Sequence, residues 1–137
     1  MDECERLEEI QAVIDEIASR AEQGALILVE GRRDRISLEA LGVRGNIILT
    51  SHKQLFNLAE NIYDQSDDII ILTDWDERGE EVARNASLYL MSNGARPDNE
   101  LRKKLRSLSR KEIKDVESLY GYIERLRQAC QDKPQHY

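Results

Sequence analysis

The sequence predicts an α/β domain, a parallel sheet of three to four strands with helices on both faces. Short apolar runs at 25–29 and 69–72, and Ile47-Ile48-Leu49 within 46–50, have the length and continuity of strands buried on both faces. Segments with apolar residues at helical spacing alternate with these runs, and the connections are short. That alternation calls for a parallel sheet joined by helical crossovers.

The elements follow in order. Leu7, Ile10, Val13, Ile14, Ile17, Ala18 and Ala21 form one stripe of a first helix over 3–22, with an acidic opposite face, and Gly24 stops it. The first strand, 25–29, ends at Glu30-Gly31. Ile36, Ala40 and Leu41 share a face of a helix from 34 to 41, which Gly42 closes. After the strand at 46–50, helical spacing returns at Leu55, Phe56, Ala59, Ile62 and Tyr63. Asp67-Asp68 lead into the third strand, and Val82, Ala83, Ala86, Tyr89 and Leu90 mark the next helix up to Asn93-Gly94. Only Ala95-Arg96-Pro97 separate Gly94 from Asp98, so a fourth strand there is very short. Asp98 is placed to cap a helix bearing Leu101, Leu105 and Leu108. Ser109 and Glu112 have capping-box spacing, and a last helix carries Ile113, Val116, Leu119, Tyr120, Ile123 and Leu126. The 137 residues read as one domain: an N-terminal helix in 1–23, a core in 25–97 and a helical extension in 98–137.

Composition narrows the function. No run approaches the roughly 20 apolar residues of a spanning helix. Seven acids in the first twenty residues exclude a signal peptide. A soluble cytoplasmic protein without membrane contact is the expectation, with Cys4 and Cys130, near opposite ends of the chain, as reduced thiols. The net charge of −7 is unevenly spread. Residues 1–95 hold 9 basic and 20 acidic side chains, net −11, whereas 96–137 hold 11 and 7, net +4.

In open parallel sheets the working crevice lies beyond the carboxyl ends of the strands. Glu30 follows the first strand, and Asp74 and Asp76 follow the third in Leu72-Thr73-Asp74-Trp75-Asp76. Residues two apart on an extended chain point to the same side. Three such carboxylates repel one another unless a hard cation neutralises them, and magnesium, held by one or two carboxylates together with water and phosphate oxygens, is the expected occupant, with manganese as its substitute. The competing role for the two aspartates is to cap the following helix.

Val29-Glu30-Gly31-Arg32-Arg33-Asp34 after one strand, and Thr73-Asp74-Trp75-Asp76-Glu77-Arg78-Gly79-Glu80 after another and opening a helix, resemble the Toprim family. That family comprises the metal-binding domains of type IA and type II topoisomerases, bacterial primases, overcoming-lysogenization-defect nucleases and the nucleases that mature 5S ribosomal RNA. The resemblance covers about residues 25 to 94. It implies a Rossmann-like Toprim sheet with extra N- and C-terminal helices, Glu30 as the acidic residue that shuttles protons or shares the metal, and Asp74 and Asp76 as magnesium ligands. Gly31 and Gly79 match glycines that allow close approach of backbone and phosphate, and Asp34 resembles the first-motif aspartate of the primases and ribosomal RNA nucleases. The chain lacks room for a topoisomerase's or primase's other domains, so it is similar to the small stand-alone Toprim proteins of prokaryotes, archaeal ones especially. A haloacid-dehalogenase-like phosphatase is a poorer match, because that fold wants Asp-x-Asp on its first strand and Thr or Val where Arg78 stands.

Arg32, Arg33 and Arg78 stand within the motifs and are the candidates for holding phosphate near the metal; Arg35 and Lys53 read as solvated helix charge, and His52 as a surface residue. In the tail, Arg102, Lys103, Lys104, Arg106, Arg110, Lys111 and Lys114 fall within thirteen residues containing one acid, Glu112. Such clusters neutralise phosphates without reading sequence, so Arg102, Lys103 and Arg106 are expected to bind nucleic acid, RNA or DNA. A solvated helix face is the alternative. Magnesium-dependent phosphodiester cleavage of RNA or single-stranded nucleic acid is the expected activity. The other reading is a non-catalytic module that binds magnesium and nucleic acid, or docks to a protein partner or a larger RNA- or DNA-processing complex.

Overall fold

The computed structural model describes residues 1–60, 67–109 and 112–132. Ile62, Tyr63, Arg110 and Lys111, read above as helical or basic positions, lie outside these residues, as do the side chains of His52 and Ala59. Four parallel strands, β1 (Leu26–Val29), β2 (Asn46–Leu49), β3 (Ile69–Ile71) and β4 (Pro97–Asp98), lie in the order β2-β1-β3-β4. The helices are α1 (Glu3–Glu22), α2 (Arg32–Ala40), α3 (His52–Glu60), α4 (Glu77–Ser92), α5 (Glu100–Ser109) and α6 (Leu119–Gln131).

The runs in β1 and β3 are central strands because both of their faces are covered, whereas β2, expected to be buried on both faces, is an edge strand with Asn46 exposed and Ile48 and Leu49 only half-buried. In β1, Ile27 and Val29 join Ile70 and Leu72 in a core with α1, α5 and α6, while Leu26 and Leu28 join Ile69 and Ile71 in a second core with Leu58 of α3 and Ala83, Ala86 and Leu90 of α4. A strand presents successive side chains to opposite faces, so these runs need apolar residues at every position. The short fourth strand exists: Pro97 pairs with Ile69 and Asp98 with Ile70. Proline has no N–H to donate, and the sheet edge is where that costs least.

Helix α1 begins at Asp2, whose carboxylate accepts from the Glu5 N–H at 2.9 Å, and ends before Gly24, whose φ of +104° lets the chain reverse into β1. Arg20 ties the end of α1 to the sheet, donating to Asp98 at 2.7 Å and through Nε to Asp68 at 3.0 Å. Asp68 above all, with Asp98, holds the guanidinium protonated against its partial burial.

Three further expectations are corrected. Cys4 on α1 and Cys130 on α6 are not free thiols: they form a disulfide, with Cα atoms 5.0 Å apart across 126 residues of sequence. Packing of α1 against α6 brings the two chain ends together, a proximity that separation along the sequence conceals. The last helix starts at Leu119 rather than near Ser109, whose hydroxyl closes α5 by donating to the Arg106 carbonyl at 3.4 Å. Ile113 and Val116 are buried as expected, but in a non-helical segment whose backbone groups bond to the end of β3. Finally, Arg102 belongs to no solvated basic face; it is 2% exposed. No helix among the described residues is long and apolar enough to cross a membrane.

Candidate metal and phosphate site at the strand ends

The chain leaves β1 for α2 on one face of the sheet and β3 for α4 on the other, so the ends of these adjacent strands flank the point where the connections diverge. Glu30 and Asp74 meet there. The Asp74 N–H donates to Glu30 Oε2 at 2.8 Å, and Asp74 Oδ1 accepts from the Val116 N–H at 3.0 Å. Asp34, on the first turn of α2, is buried and accepts from the Gly31 N–H at 2.9 Å.

These acids perturb one another. Burial, with Asp34 and Glu30 nearby, pushes the Asp74 carboxyl up to about 7 against the opposing pull of the Val116 N–H. Burial also raises the Asp34 carboxyl, reinforced by Glu30, Glu117 and Asp115 and opposed by the Gly31 N–H. Among the described residues no lysine or arginine side chain pairs with Glu30 or Asp74. The pair therefore concentrates uncompensated hard oxygen donors. Magnesium asks for one or two carboxylates and fills its other positions with water and phosphate, so Glu30 and Asp74 fit it.

Asp76 behaves differently. Its Oδ1 caps α4, accepting from the Gly79 N–H at 2.7 Å, and its side chain is exposed. Among the described residues no three acidic, histidine or cysteine side chains gather closely enough to hold a metal together. The Asp-x-Asp spacing thus divides into one carboxylate beside Glu30 and one engaged at the helix start.

Backbone packing sets this division. A Cβ on Gly79 would lie 1.8 Å from the Asp74 carbonyl oxygen, so only glycine lets the first turn of α4 sit against the Asp74 main chain. Thr73, fully buried, donates its hydroxyl to the Gly79 carbonyl at 2.9 Å. At Gly31 a Cβ would meet nothing nearer than Asp34 Oδ2 at 3.8 Å, so no comparable constraint acts there.

The segment before α6 locks the same loop from the other side. The Trp75 N–H donates to the Lys114 carbonyl and its indole N–H to the Ile113 carbonyl, each at 2.8 Å. Its local sequence carries helix-like spacing, so neither this role nor the nearness of Asp115 and Glu117 to Asp34 has a signal in the sequence.

The basic candidates separate into three groups. Arg102 Nε donates to the Thr73 carbonyl at 2.9 Å, Nη2 to the Asp74 carbonyl at 2.6 Å and Nη1 to Glu80 at 3.2 Å, making it the internal brace of the β3 loop. Arg106 also reaches Glu80, at 2.6 Å, while Lys103 pairs with Glu100 on its own helix at 3.5 Å; both side chains are about half exposed. Burial raises the Glu80 carboxyl, but the bonds from Arg102 and Arg106 outweigh it and hold the group below the usual carboxylate range. Arg32 and Arg33 are exposed on the first turn of α2, where Arg33 lies 3.5 Å from Glu117. Arg78 is exposed and lines a cleft with Glu30, between α3 and α4.

Comparison with known proteins adds sequence and structural relatives. A model of the Toprim domain matches residues 25–108. A UPF0292 protein of Methanosarcina barkeri is 48% identical over 89% of this chain and 85% of its own length, and a UPF0292 protein of Pyrococcus horikoshii is 42% identical over 85% and 86%. A solved structure of a protein from Aquifex aeolicus superimposes with a TM-score of 0.67 at 27% identity, covering 78% of this chain and 94% of that one.

Proposed function

The chain belongs to the Toprim family, alongside the small archaeal UPF0292 proteins, and from that premise we propose that it cleaves phosphodiester bonds of nucleic acid with magnesium. Toprim domains bind magnesium through acidic residues and serve proteins that process nucleic acid. RNA or single-stranded nucleic acid is the proposed substrate, and the cytoplasm the proposed setting.

The bond between the Asp74 N–H and Glu30 Oε2 carries the reading, because it joins two acidic strand ends where a parallel sheet keeps its working crevice. Asp74 and Glu30 would hold the metal, with manganese as a substitute, and Asp76 would join them only by turning its side chain away from the α4 cap. Bound magnesium supplies stabilisation of charge developing on phosphoryl oxygen and lowers the pKa of a coordinated water. Glu30 is the proposed general acid or base, moving a proton at its carboxylate. Arg32, Arg33 and Arg78 orient the phosphate; Lys103 and Arg106 on α5 add sequence-independent attraction for the polynucleotide.

The capping role of Asp76 favours a second reading, a non-catalytic module that binds magnesium and nucleic acid or docks to a protein in a larger RNA- or DNA-processing complex. Incubation with structured RNA, single-stranded DNA and duplex DNA at matched salt, with magnesium, manganese or chelator, separates the two. Cleavage that needs metal and disappears in Asp74→Ala/Asp76→Ala supports the enzyme. Binding without cleavage, unchanged by those substitutions, supports the module.

A further inference from the structure

Beside Glu30, between the end of β2 with the start of α3 and the outer face of α4, lies a cleft of about 980 Å³. That is at the upper end of the roughly 300–1,000 Å³ typical of ligand sites. It is large enough for a nucleotide. Phe56, the chain's single phenylalanine, lines it from α3, and Tyr89 lines it from α4. Their exposures, 51% and 37%, leave ring surface facing the cleft rather than packed in the core formed by the inner sides of the same helices.

The rest of the lining is polar in a particular way. Lys53 and Arg78 are exposed there, and among the described residues neither pairs with a carboxylate. Asn85, one turn before Tyr89 on α4, adds an amide able both to donate and to accept. Aromatic rings stack on the faces of bases whatever their identity, cations neutralise phosphates, and an amide hydrogen-bonds a base edge. A cleft offering all three suits a nucleotide better than it suits an apolar ligand or a bare anion.

We propose that this cleft receives an unpaired base of a single-stranded polynucleotide, stacked on Phe56 and Tyr89, beside the phosphate presented to Glu30 and Asp74. Glu30 belongs both to the cleft lining and to the carboxylate pair, so the cleft opens onto the carboxylates and one strand can occupy both. The assignment rests on the phosphodiester reading above and narrows it: a base inside a duplex is stacked and paired, so its faces are unavailable to the rings. Lys53 hence acquires a role in holding phosphate that its position on a helix surface does not announce.

The test uses the full chain and oligonucleotides of one sequence as single-stranded RNA, single-stranded DNA, duplex DNA, and a DNA strand with abasic sites in place of bases. Binding is read by fluorescence anisotropy in magnesium across a salt series, and stacking by quenching of a 2-aminopurine placed in the strand. Expected are tighter binding of the base-bearing single strands than of the duplex or abasic strand, and 2-aminopurine quenching by the unaltered protein. Phe56→Ala and Tyr89→Ala should each weaken single-strand binding about tenfold. Their salt slope should not change, since no phosphate contact is removed. Phe56→Tyr and Tyr89→Phe should restore binding, and thermal melting verifies that each variant is folded. No quenching, no preference for unpaired bases, or an equal loss on the abasic strand overturns the assignment. Cleavage in the same samples distinguishes the two readings. Metal-dependent cleavage abolished by Asp74→Ala but indifferent to unpaired bases rejects only the cleft, whereas the stacking signature without cleavage rejects only the nuclease.

Discussion

The main-chain N–H of Asp74 donates to the Glu30 side chain at 2.8 Å, which fixes the acid after β1 against the backbone of β3. A side chain held by main chain of the neighbouring strand is positioned by the sheet itself, and its partner's carboxylate is held in turn by the Val116 N–H. The arrangement keeps two carboxylates close at a cost in electrostatic repulsion, which the titration of Asp74 exposes.

Asp74→Asn should stabilise the metal-free protein at neutral and alkaline pH. The folded state raises this carboxyl to about 7, above its unfolded value near 3.9. The stability it contributes is therefore complete below about pH 4 and is lost as pH rises through 7. Asparagine stays neutral, keeps an oxygen for the Val116 N–H and gains an amide donor for Glu30. The difference in melting temperature, variant minus unaltered protein, should grow from pH 4 to pH 8, and magnesium should stabilise the unaltered protein more than the variant. A difference independent of pH would show that repulsion at Asp74 is not what the substitution relieves.

Gly79→Ala should be costly despite adding one methyl group. The new Cβ would overlap the Asp74 carbonyl oxygen, and backbone on both sides must shift to relieve it. Overpacking of this kind costs about 1–3 kcal/mol, and the value here is expected at the upper end. Denaturant unfolding measures it; a midpoint equal to that of the unaltered protein would mean that α4 can move away from the β3 loop without cost.

Reduction of the Cys4–Cys130 disulfide should lower stability by about 2–4 kcal/mol, because the bond restricts nearly the whole chain in the unfolded state. Cys4→Ser/Cys130→Ser should unfold at the same denaturant concentration with or without reductant, matching the reduced parent. A parent indifferent to reductant would show that the thiols do not pair in solution.

Arg102 and its neighbours on α5 should respond in opposite ways. Arg102→Met leaves Glu80 with one partner fewer and the Thr73 and Asp74 carbonyls without their donors, a loss of about 3–5 kcal/mol if it matches other broken buried pairs. Lys103→Glu/Arg106→Glu alters an exposed surface, so stability should change by about 1 kcal/mol or less while nucleic-acid binding weakens and its salt dependence flattens. An unchanged salt slope would return Lys103 and Arg106 to the role of solvated helix charge.

The sheet and most of its helices were legible in the residues because their causes are local. Four consecutive apolar residues in β1 suit a strand covered on both faces, and the stripe from Ile10 to Ala21 suits one face of α1. Glu30 and Asp74 were legible for a related reason: Glu30 directly follows one apolar strand and Asp74 stands two residues past Leu72 at the end of another, and strands of a parallel sheet end on one side. What the tertiary structure decided were pairings between segments distant in sequence. Val116 and Ile113 have helical spacing, yet their segment satisfies its backbone at Asp74 and Trp75. Arg102 sits in a basic run, yet it alone among Arg102, Lys103 and Arg106 turns inward to carbonyls that β3 leaves open. Cys4 and Cys130 stand at opposite ends of the chain until α1 packs on α6. Local sequence sets which backbone and side-chain groups need partners, but which partner each one receives depends on the packing of the whole domain.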